Sequence, residues 1–364
     1  MTVRAAVLPA FERPLEIRTY PEPRELAPGE TLVRVEMAGI CGTDVHLWLG
    51  QLPIPTPVIL GHETVGRLER TAGVERDWRG QPLREGDRVC WASSIACGEC
   101  FYCRLKGQPT RCLTRKAYGI SYNADEAPHL RGGYAEKILL RAGTSLFRIS
   151  DSVPTEAVVG AGCALTTAIH GSERARVDWG DVVVIQGAGP VGLAALATAK
   201  IAGARRTLVI GGPAHRLNFA KQFGADSTID IDAVPDLAER RARVIEETGG
   251  HGADVVIECV GHPEAVNEGL DYCRDGGKYV VLGQYGNAGN ISFNPHTITR
   301  KQLQVIGSWG FEPRHVHRAL QLLESTEWQG LFARQVTHRF PLEQANEALQ
   351  TTRSWTSGKT AIVP

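Results

Sequence analysis

The sequence of 364 residues lacks several features that mark common classes of protein. It contains no run of about 18 apolar residues, so no segment is expected to cross a membrane as a helix. Lys plus Arg and Asp plus Glu number 40 each, and this balance gives no sign of a nucleic-acid partner. The first residues, "MTVRAAVLPAFERP", contain no cleavable hydrophobic segment. We therefore expect a cytoplasmic protein without a membrane or nucleic-acid partner.

The sequence also lacks internal repeats and low-complexity linkers, but its pattern changes near residue 155. The residues before it show no long helical period, and short β-branched runs such as "TLVRVEMAGI" are separated by Pro and Gly. A chain of this length exceeds one ordinary core, which predicts two domains. We expect the first part to be mainly β.

Beyond residue 155, strand-like and helical runs alternate, a pattern that predicts a parallel sheet with helices on both faces. Six such strands are typical of a doubly wound Rossmann domain, which we place at residues 165–308. The last 55 or so residues return to a mixed pattern, so residues 1–164 and 309–364 are expected to form the other domain. The six predicted strands cover residues 181–186, 206–210, 226–231, 253–259, 278–283 and 303–308.

A glycine-rich turn follows the first of these strands, in "VVVIQGAGPVGLAALATAK". Gly187, Gly189 and Gly192 fit the pattern G-x-G-x-x-G, with Pro190 and Val191 between them. Because the pattern lies between an apolar strand and a helix, it predicts a dinucleotide site with the pyrophosphate at the helix N-terminus. A glycine turn without a ligand is the alternative.

The next strand lacks the acidic residue that usually binds an adenosine ribose about 20 residues further on. Its end reads "LVIGGPAHR", with Gly211 in that place. A glycine leaves room for a 2′-phosphate, which His215 or Arg216 could contact. NAD and NADP therefore both remain candidate cofactors.

Four of the nine cysteines lie in one short segment, "CGECFYCRLKGQPTRC". Thiols in the cytoplasm stay reduced, so clustered cysteines there bind metal more often than they form disulfides. Four thiolates at this spacing can surround zinc and leave no position for a substrate, which predicts a structural ion. A disulfide pair and an iron–sulfur cluster are the alternatives. The predicted ligands are Cys97, Cys100, Cys103 and Cys112.

A catalytic zinc needs three protein ligands and one open position. Candidates are Cys41 in "GICGTDVHLWLG", His62 in "LGHETVG" and Cys163 in "GAGCALTTAIHG". Each residue alone could equally be an ordinary core residue. The occurrence of all three residues together is a stronger indication of a zinc site than any one of them alone.

Taken together, "GICGTDVH", "GHETVG", the four-cysteine lobe, "GDRV" and "GAGPVG" resemble the zinc-dependent medium-chain dehydrogenase/reductase family over essentially the whole chain. The resemblance implies a GroES-like catalytic domain, with Cys41, His62 and Cys163 as ligands of a catalytic zinc. The lobe departs from the commonest family spacing, with eight residues before its last cysteine instead of seven. A loop one residue longer can still close around zinc.

The resemblance also implies a role for several neighbouring residues. Glu63 would lie beside the metal, and Asp44 would orient the His62 ring. Thr43 would contact the substrate oxygen, and His46 would pass its proton outward. Thr167 would lie near the nicotinamide, and Lys359 near the pyrophosphate.

The implied activity is interconversion of a small-molecule alcohol and an aldehyde or ketone by hydride transfer to or from NAD or NADP. The resemblance also implies two zinc ions per chain and assembly into a homodimer or homotetramer. The alternatives are a zinc-free enoyl or quinone reductase on the same fold and a nucleotide-binding protein without turnover. Retention of the three ligands and His46 argues against the zinc-free reductase. Trp48, Trp91, Tyr118 and Trp309 are candidates for an aromatic substrate pocket, with the ordinary core as the alternative.

Overall fold

A computed structural model describes residues 1–364 and divides the chain into two compact units. The first unit contains Met1–Cys163 and Glu312–Pro364, and the second contains Ala164–Phe311. These bounds differ by one and three residues from the domain bounds expected from the sequence.

Strands occur throughout both units. In chain order they are β1 (Thr2–Leu8), β2 (Glu16–Pro21), β3 (Thr31–Ile40), β4 (Val58–Ile59), β5 (Glu63–Thr71), β6 (Arg88–Trp91), β7 (Ser94–Ile95), β8 (Lys116–Ala117), β9 (Lys137–Leu140), β10 (Leu146–Arg148), β11 (Val182–Gln186), β12 (Arg206–Gly211), β13 (Ser227–Asp230), β14 (Ala253–Glu258), β15 (Cys273–Val281), β16 (Gln304–Gly307), β17 (Val336–Pro341) and β18 (Lys359–Val363).

Helices are concentrated in the second half of the chain. They are α1 (Gly42–Trp48), α2 (Thr155–Ala175), α3 (Pro190–Ile201), α4 (Ala214–Gln222), α5 (Leu237–Glu247), α6 (Ala265–Tyr272), α7 (His296–Lys301), α8 (Pro313–Leu323), α9 (Thr326–Arg334) and α10 (Ala345–Arg353). No helix is both long enough and apolar enough to span a bilayer.

The first unit is built around a seven-stranded sheet in the order β10-β6-β5-β3-β18-β17, with β9 also paired to β3. A three-stranded sheet, β2-β1-β4, accompanies it. Strand β18 lies antiparallel to β3 and parallel to β17, so the last strand of the chain is an interior strand of this sheet. Three of the candidate pocket aromatics, Trp48, Trp91 and Tyr118, are buried in the core of this unit. They belong to its ordinary packing.

The second unit contains the predicted six-stranded parallel sheet, in the order β13-β12-β11-β14-β15-β16. Every residue of β11 is buried, as expected for a central strand covered on both faces. The strand order reverses between β11 and β14, and ligands of such sheets bind at this point, beyond the carboxyl ends of the strands. All six predicted strands are present. Strand β15 starts five residues earlier than expected, because Cys273 pairs with Ala253 before a shift in register.

Helix α1 and the first part of α2, up to Cys163, shape the candidate active site of the first unit. Helix α1 occupies a segment for which the sequence predicts no helix, and the Asp44 side chain accepts from the backbone N–H of Cys41 at its start. Helix α2 begins where the helical pattern predicts, but its backbone is kinked at Gly162, where φ is 45° and ψ is −148°.

Candidate active site

The first part of the site joins the start of α1 to the start of β5. The Asp44 carboxylate is fully buried and accepts from Cys41 N at 2.8 Å. Its other oxygen lies 3.2 Å from Nδ1 of His62. Because a carboxylate only accepts, His62 Nδ1 carries the proton and Nε2 remains available for a metal. Burial alone would lower the pKa of His62, but Asp44 outweighs burial and raises it well above the usual value.

Two thiols complete the arrangement. Sγ of Cys41 lies 3.6 Å from Sγ of Cys163, which is carried by α2 just after the kink. The hydrogen bond between the two thiols holds the pKa of Cys41 well below that of a free thiol and raises that of Cys163 well above it. Ligand atoms of Cys41, His62, Glu63 and Cys163 all lie within 4.8 Å of one another. The fold thus brings together the three predicted metal ligands and the predicted acid.

The Glu63 carboxylate links the site to the end of the chain. One oxygen accepts from Cys163 N at 2.7 Å, and the other lies 2.5 Å from Nζ of Lys359. Burial alone would raise the pKa of Glu63, but Lys359 and His62 outweigh burial and lower it. Lys359 is 3% exposed and is occupied by this ion pair. Its contact with a pyrophosphate stays a prediction.

Gly162 is a site residue that the sequence analysis missed. A side chain there would place its first carbon 2.3 Å from Oε1 of Glu63 and 3.0 Å from Nζ of Lys359. The positive φ also disfavours any other residue. The signal in the sequence was the pair of glycines in "VVGAGCALTT", three residues and one residue before a candidate ligand of the metal.

The four-cysteine lobe forms a second cluster, with all four sulfur atoms within 4.8 Å of one another. A π-helical turn at Phe101–Leu105 and a 3₁₀ turn at Pro109–Arg111 fold the lobe back on itself. Backbone N–H groups of Glu99 and Cys100 lower the pKa of Cys97 to about 6, which favours the thiolate that a metal requires. None of the nine cysteines forms a disulfide.

Both clusters have dimensions that suit zinc. With zinc–sulfur bonds of about 2.3 Å, tetrahedral geometry separates two sulfur atoms by about 3.8 Å. The Cys41–Cys163 separation is 3.6 Å, and the Cys97–Cys112 separation in the lobe is 3.5 Å. The lobe offers four thiols, whereas the other cluster offers two thiols and one imidazole beside a carboxylate that is already paired.

In the second unit, the glycine-rich turn joins β11 to α3. Gly187 has φ of 103°, and a side chain on Gly192 would place its first carbon 1.9 Å from the Gly187 carbonyl oxygen. Gly189 caps α3, and nothing except Nη1 of Arg216 lies within 4 Å of the space where its side chain would be. Pro190 and Val191 form the first turn of α3. The turn thus leaves helix N–H groups open to a pyrophosphate, as a dinucleotide requires.

The residues predicted to contact the adenosine and nicotinamide ends of the cofactor, Gly211, Arg216 and Thr167, also lie in this unit. Gly211 ends β12, and a side chain there would approach Ala188 N at 2.9 Å. Arg216 is buried on α4, and this burial lowers its pKa. Thr167 lies half-buried on α2, one helical turn after Cys163.

Thr43 and His46, the predicted proton-transfer residues, both lie on α1. Thr43 is half-buried and directly precedes Asp44. His46 is exposed, and its Nδ1 lies 2.5 Å from Oε1 of Gln51. The helix therefore carries a half-buried hydroxyl two residues after Cys41 and an imidazole that is open to solvent.

Comparison with known proteins agrees with this arrangement. Residues 27–151 match the alcohol dehydrogenase GroES-like domain, and residues 190–325 match the zinc-binding dehydrogenase domain. The 5-exo-hydroxycamphor dehydrogenase of Pseudomonas putida is 35% identical over 357 residues, which cover 96% of each chain. The chain belongs to the zinc-dependent medium-chain dehydrogenase/reductase family.

Solved structures of family members have the same fold. An alcohol dehydrogenase from Thermotoga maritima superposes with a TM-score of 0.95 at 35% identity over the whole of both chains. A zinc-binding dehydrogenase-like protein from Sinorhizobium meliloti, solved with NADP, gives 0.85 at 27% identity, again over both whole chains. The protein is accordingly a zinc-type, NAD(P)-dependent oxidoreductase of the alcohol dehydrogenase kind, as the sequence predicts.

The space at Gly162 gives a first test. Gly162→Ala should lower the free energy of unfolding by about 1–3 kcal/mol, because it adds backbone strain and pushes the Glu63 carboxylate away from Cys163 N. Urea unfolding and zinc content of the purified variant would be measured together. Gly330→Ala on α9 is the matched control, because nothing lies within 4 Å of the added carbon. Equal stability and zinc content in both variants would contradict this account of Gly162.

Proposed function

We propose that Cys41, His62 and Cys163 hold a catalytic zinc at which the enzyme interconverts a small-molecule alcohol and its carbonyl counterpart. The observation that carries this assignment is the convergence of their ligand atoms, with Glu63, within 4.8 Å. Cys41 directly precedes α1, His62 directly precedes β5, and Cys163 lies in α2. Because these positions are far apart in sequence, it is the fold that brings their ligand atoms together.

When bound, zinc supplies Lewis acidity that lowers the pKa of an alcohol, and the nicotinamide supplies the acceptor for a hydride. The protein supports this chemistry through charge balance. Asp44 fixes the His62 ring with Nδ1 protonated, and Lys359 offsets the buried Glu63 carboxylate. Two thiolates and one neutral imidazole would hold the zinc and would leave one position for the substrate oxygen.

We propose that the proton of the bound alcohol reaches solvent through residues of α1. Thr43 would accept a hydrogen bond from the alcohol and pass the proton on, and His46 would deliver it to solvent. Imidazole exchanges protons readily near neutral pH, and His46 is already exposed. Its Nδ1 contact with Gln51 fixes the ring and leaves Nε2 for exchange.

The proposal also includes a second zinc ion, the cofactor, the cellular compartment and the oligomeric state. The lobe would hold a structural zinc through its four thiolates, which requires reduced cysteines and a compartment such as the cytoplasm. Gly187, Gly189 and Gly192 would hold the pyrophosphate of NAD or NADP. A homodimer or homotetramer, as the family resemblance implies, remains part of the proposal.

A substrate panel tests the reaction itself. Cyclic secondary alcohols come first because a relative at 35% identity is named for hydroxycamphor, and polyols come next because others are named for arabinitol and sorbitol. Each would be assayed with NAD and NADP, before and after removal of zinc by a chelator. Reduction of a conjugated enone or quinone that survives zinc removal would favour the zinc-free alternative. Cofactor binding without turnover of any alcohol or carbonyl would favour the non-catalytic one.

Freshly purified protein should contain close to two zinc ions per chain, one in each cysteine cluster. Elemental analysis measures this directly. Cys41→Ser should lower the content to about one ion and abolish alcohol oxidation, while Cys97→Ser should remove the other ion and lower thermal stability. A wild-type content near one would eliminate one of the two sites, and the variants would show which.

Gly211 leads us to expect weak discrimination between NAD and NADP. Gly211→Asp should shift preference towards NAD by about 1–3 kcal/mol, because a carboxylate binds a ribose diol and repels a 2′-phosphate. Gly211→Ala is the matched control, since its methyl group makes the same close approach to Ala188 N without the charge. Dissociation constants for both cofactors would be compared. A thousandfold preference for NAD in the wild type would mean that another residue reads the ribose.

His46→Gln should slow alcohol oxidation about 10- to 100-fold near neutral pH, at the low end for general base catalysis because water can substitute. The loss should shrink at high pH, where hydroxide or buffer takes the proton, and zinc content should not change. His338→Gln, an exposed histidine on β17, serves as the control. An unchanged pH–rate profile would remove His46 from the proton path.

A further inference from the structure

Glu258, at the end of β14, is a buried acidic residue that the proposed mechanism does not use. Its side chain is fully buried. One oxygen accepts from Val260 N at 2.7 Å and from Gly261 N at 2.6 Å, and the other accepts from Gly283 N at 3.0 Å. Both oxygens of the carboxyl group therefore accept hydrogen bonds from the backbone.

These contacts join two strand ends. Residues 259–261 follow β14, and residues 282–283 follow β15. The backbone oxygen of Glu258 also accepts from Leu282 N and Gly283 N, each at 3.0 Å. Residue 258 thus holds both segments through its main chain and its side chain. A methyl group on residue 283 would lie 2.5 Å from Oε1 of Glu258 and 2.4 Å from Gly261 N, so the two segments already touch.

This arrangement is costly if its only purpose is to hold the fold together. Burial raises the pKa of Glu258, and the surrounding N–H groups only partly oppose it. The carboxylate is satisfied by backbone dipoles and not by a Lys or Arg side chain. Burying a carboxyl group costs free energy that an apolar side chain at a strand end would not cost. What the buried carboxyl group provides in return is a fixed backbone at this point of the sheet.

The position of the two segments indicates what they serve. The strand order reverses between β11 and β14, and a dinucleotide lies across that point beyond the carboxyl ends of the strands. Its adenosine half belongs with the glycine turn after β11 and with Gly211 at the end of β12. Its nicotinamide half therefore falls beside the ends of β14 and β15, which carry the segments that Glu258 holds.

We propose that Glu258 is a positioning residue that sets residues 259–261 and 282–283 against the nicotinamide half of the cofactor. This proposal rests on the proposed function, since it presupposes that NAD or NADP binds the second unit. Glu258 acts through the backbone that it holds and has no chemical role of its own.

Binding of the whole cofactor and of its ADP-ribose part separates this role from a general structural one. In Glu258→Gln, one oxygen can still accept from Val260 and Gly261, but the amide group meets Gly283 N–H donor to donor. The reduced cofactor should bind about 5- to 50-fold more weakly, while ADP-ribose, or its 2′-phosphate form if NADP is preferred, should bind within about twofold of wild type. The deuterium isotope effect on alcohol oxidation should rise, because a misplaced ring slows hydride transfer.

Asp254→Asn is the matched control. Asp254 lies at the amino-terminal end of β14, away from the carboxyl ends of the strands where the cofactor is expected. It also accepts a backbone N–H, from Val182 at 2.7 Å, and it pairs with Arg274 at 2.6 Å. Its replacement should leave the ratio of the two affinities unchanged. Gly283→Ala, whose methyl group would displace the Glu258 carboxylate, should reproduce the selective loss if Glu258→Gln folds poorly.

The outcomes distinguish this proposal from the one on which it rests. Equal weakening of cofactor and ADP-ribose, or no weakening of either, would overturn the positioning role while leaving the oxidoreductase assignment intact. A wild-type protein that binds neither NADH nor NADPH would overturn the proposed function and this proposal with it.

Discussion

The buried ion pair between Glu63 and Lys359 is the interaction on which the first unit's active site depends. Both side chains are almost fully enclosed, so removing either one would leave a buried charge without compensation, at a cost of about 3–5 kcal/mol. Glu63 also receives the backbone N–H of Cys163 and directly follows His62. One carboxylate therefore joins β5, α2 and β18, and it helps to set the spacing of His62 and Cys163, two of the predicted metal ligands.

The second unit stabilises its own buried carboxylate in another way. Glu63 faces a full positive charge, and its pKa falls, whereas Glu258 faces only backbone dipoles, and its pKa rises. The Glu63–Lys359 ion pair can persist while the flexible lysine side chain makes small movements. Backbone N–H groups cannot move without moving the strand ends that carry them. The first arrangement suits a site that exchanges ligands at a metal, and the second suits a rigid platform for a cofactor.

Much of this molecule could be predicted from local patterns. The six strands of the parallel sheet follow from apolar runs, and the glycine turn from its position between a strand and a helix. The kink at Gly162 and the partner of Lys359 could not be predicted, because they depend on contacts between residues far apart in sequence. Helix α1 was missed because Asp44 and the Cys41 backbone, not an apolar period, define its start.

The interior position of β18 has a consequence for how the polypeptide is made. Its neighbour β3 emerges from the ribosome more than 300 residues before it, and the entire second unit is synthesised in between. The parallel sheet can close while translation continues, since all its strands are contiguous. The seven-stranded sheet keeps an open gap until β18 is translated, and Lys359, which neutralises Glu63, arrives with that strand. Glu63 therefore lacks its cation, beside the predicted metal ligands, until β18 pairs with β3, so the first unit is completed only after the second has been synthesised.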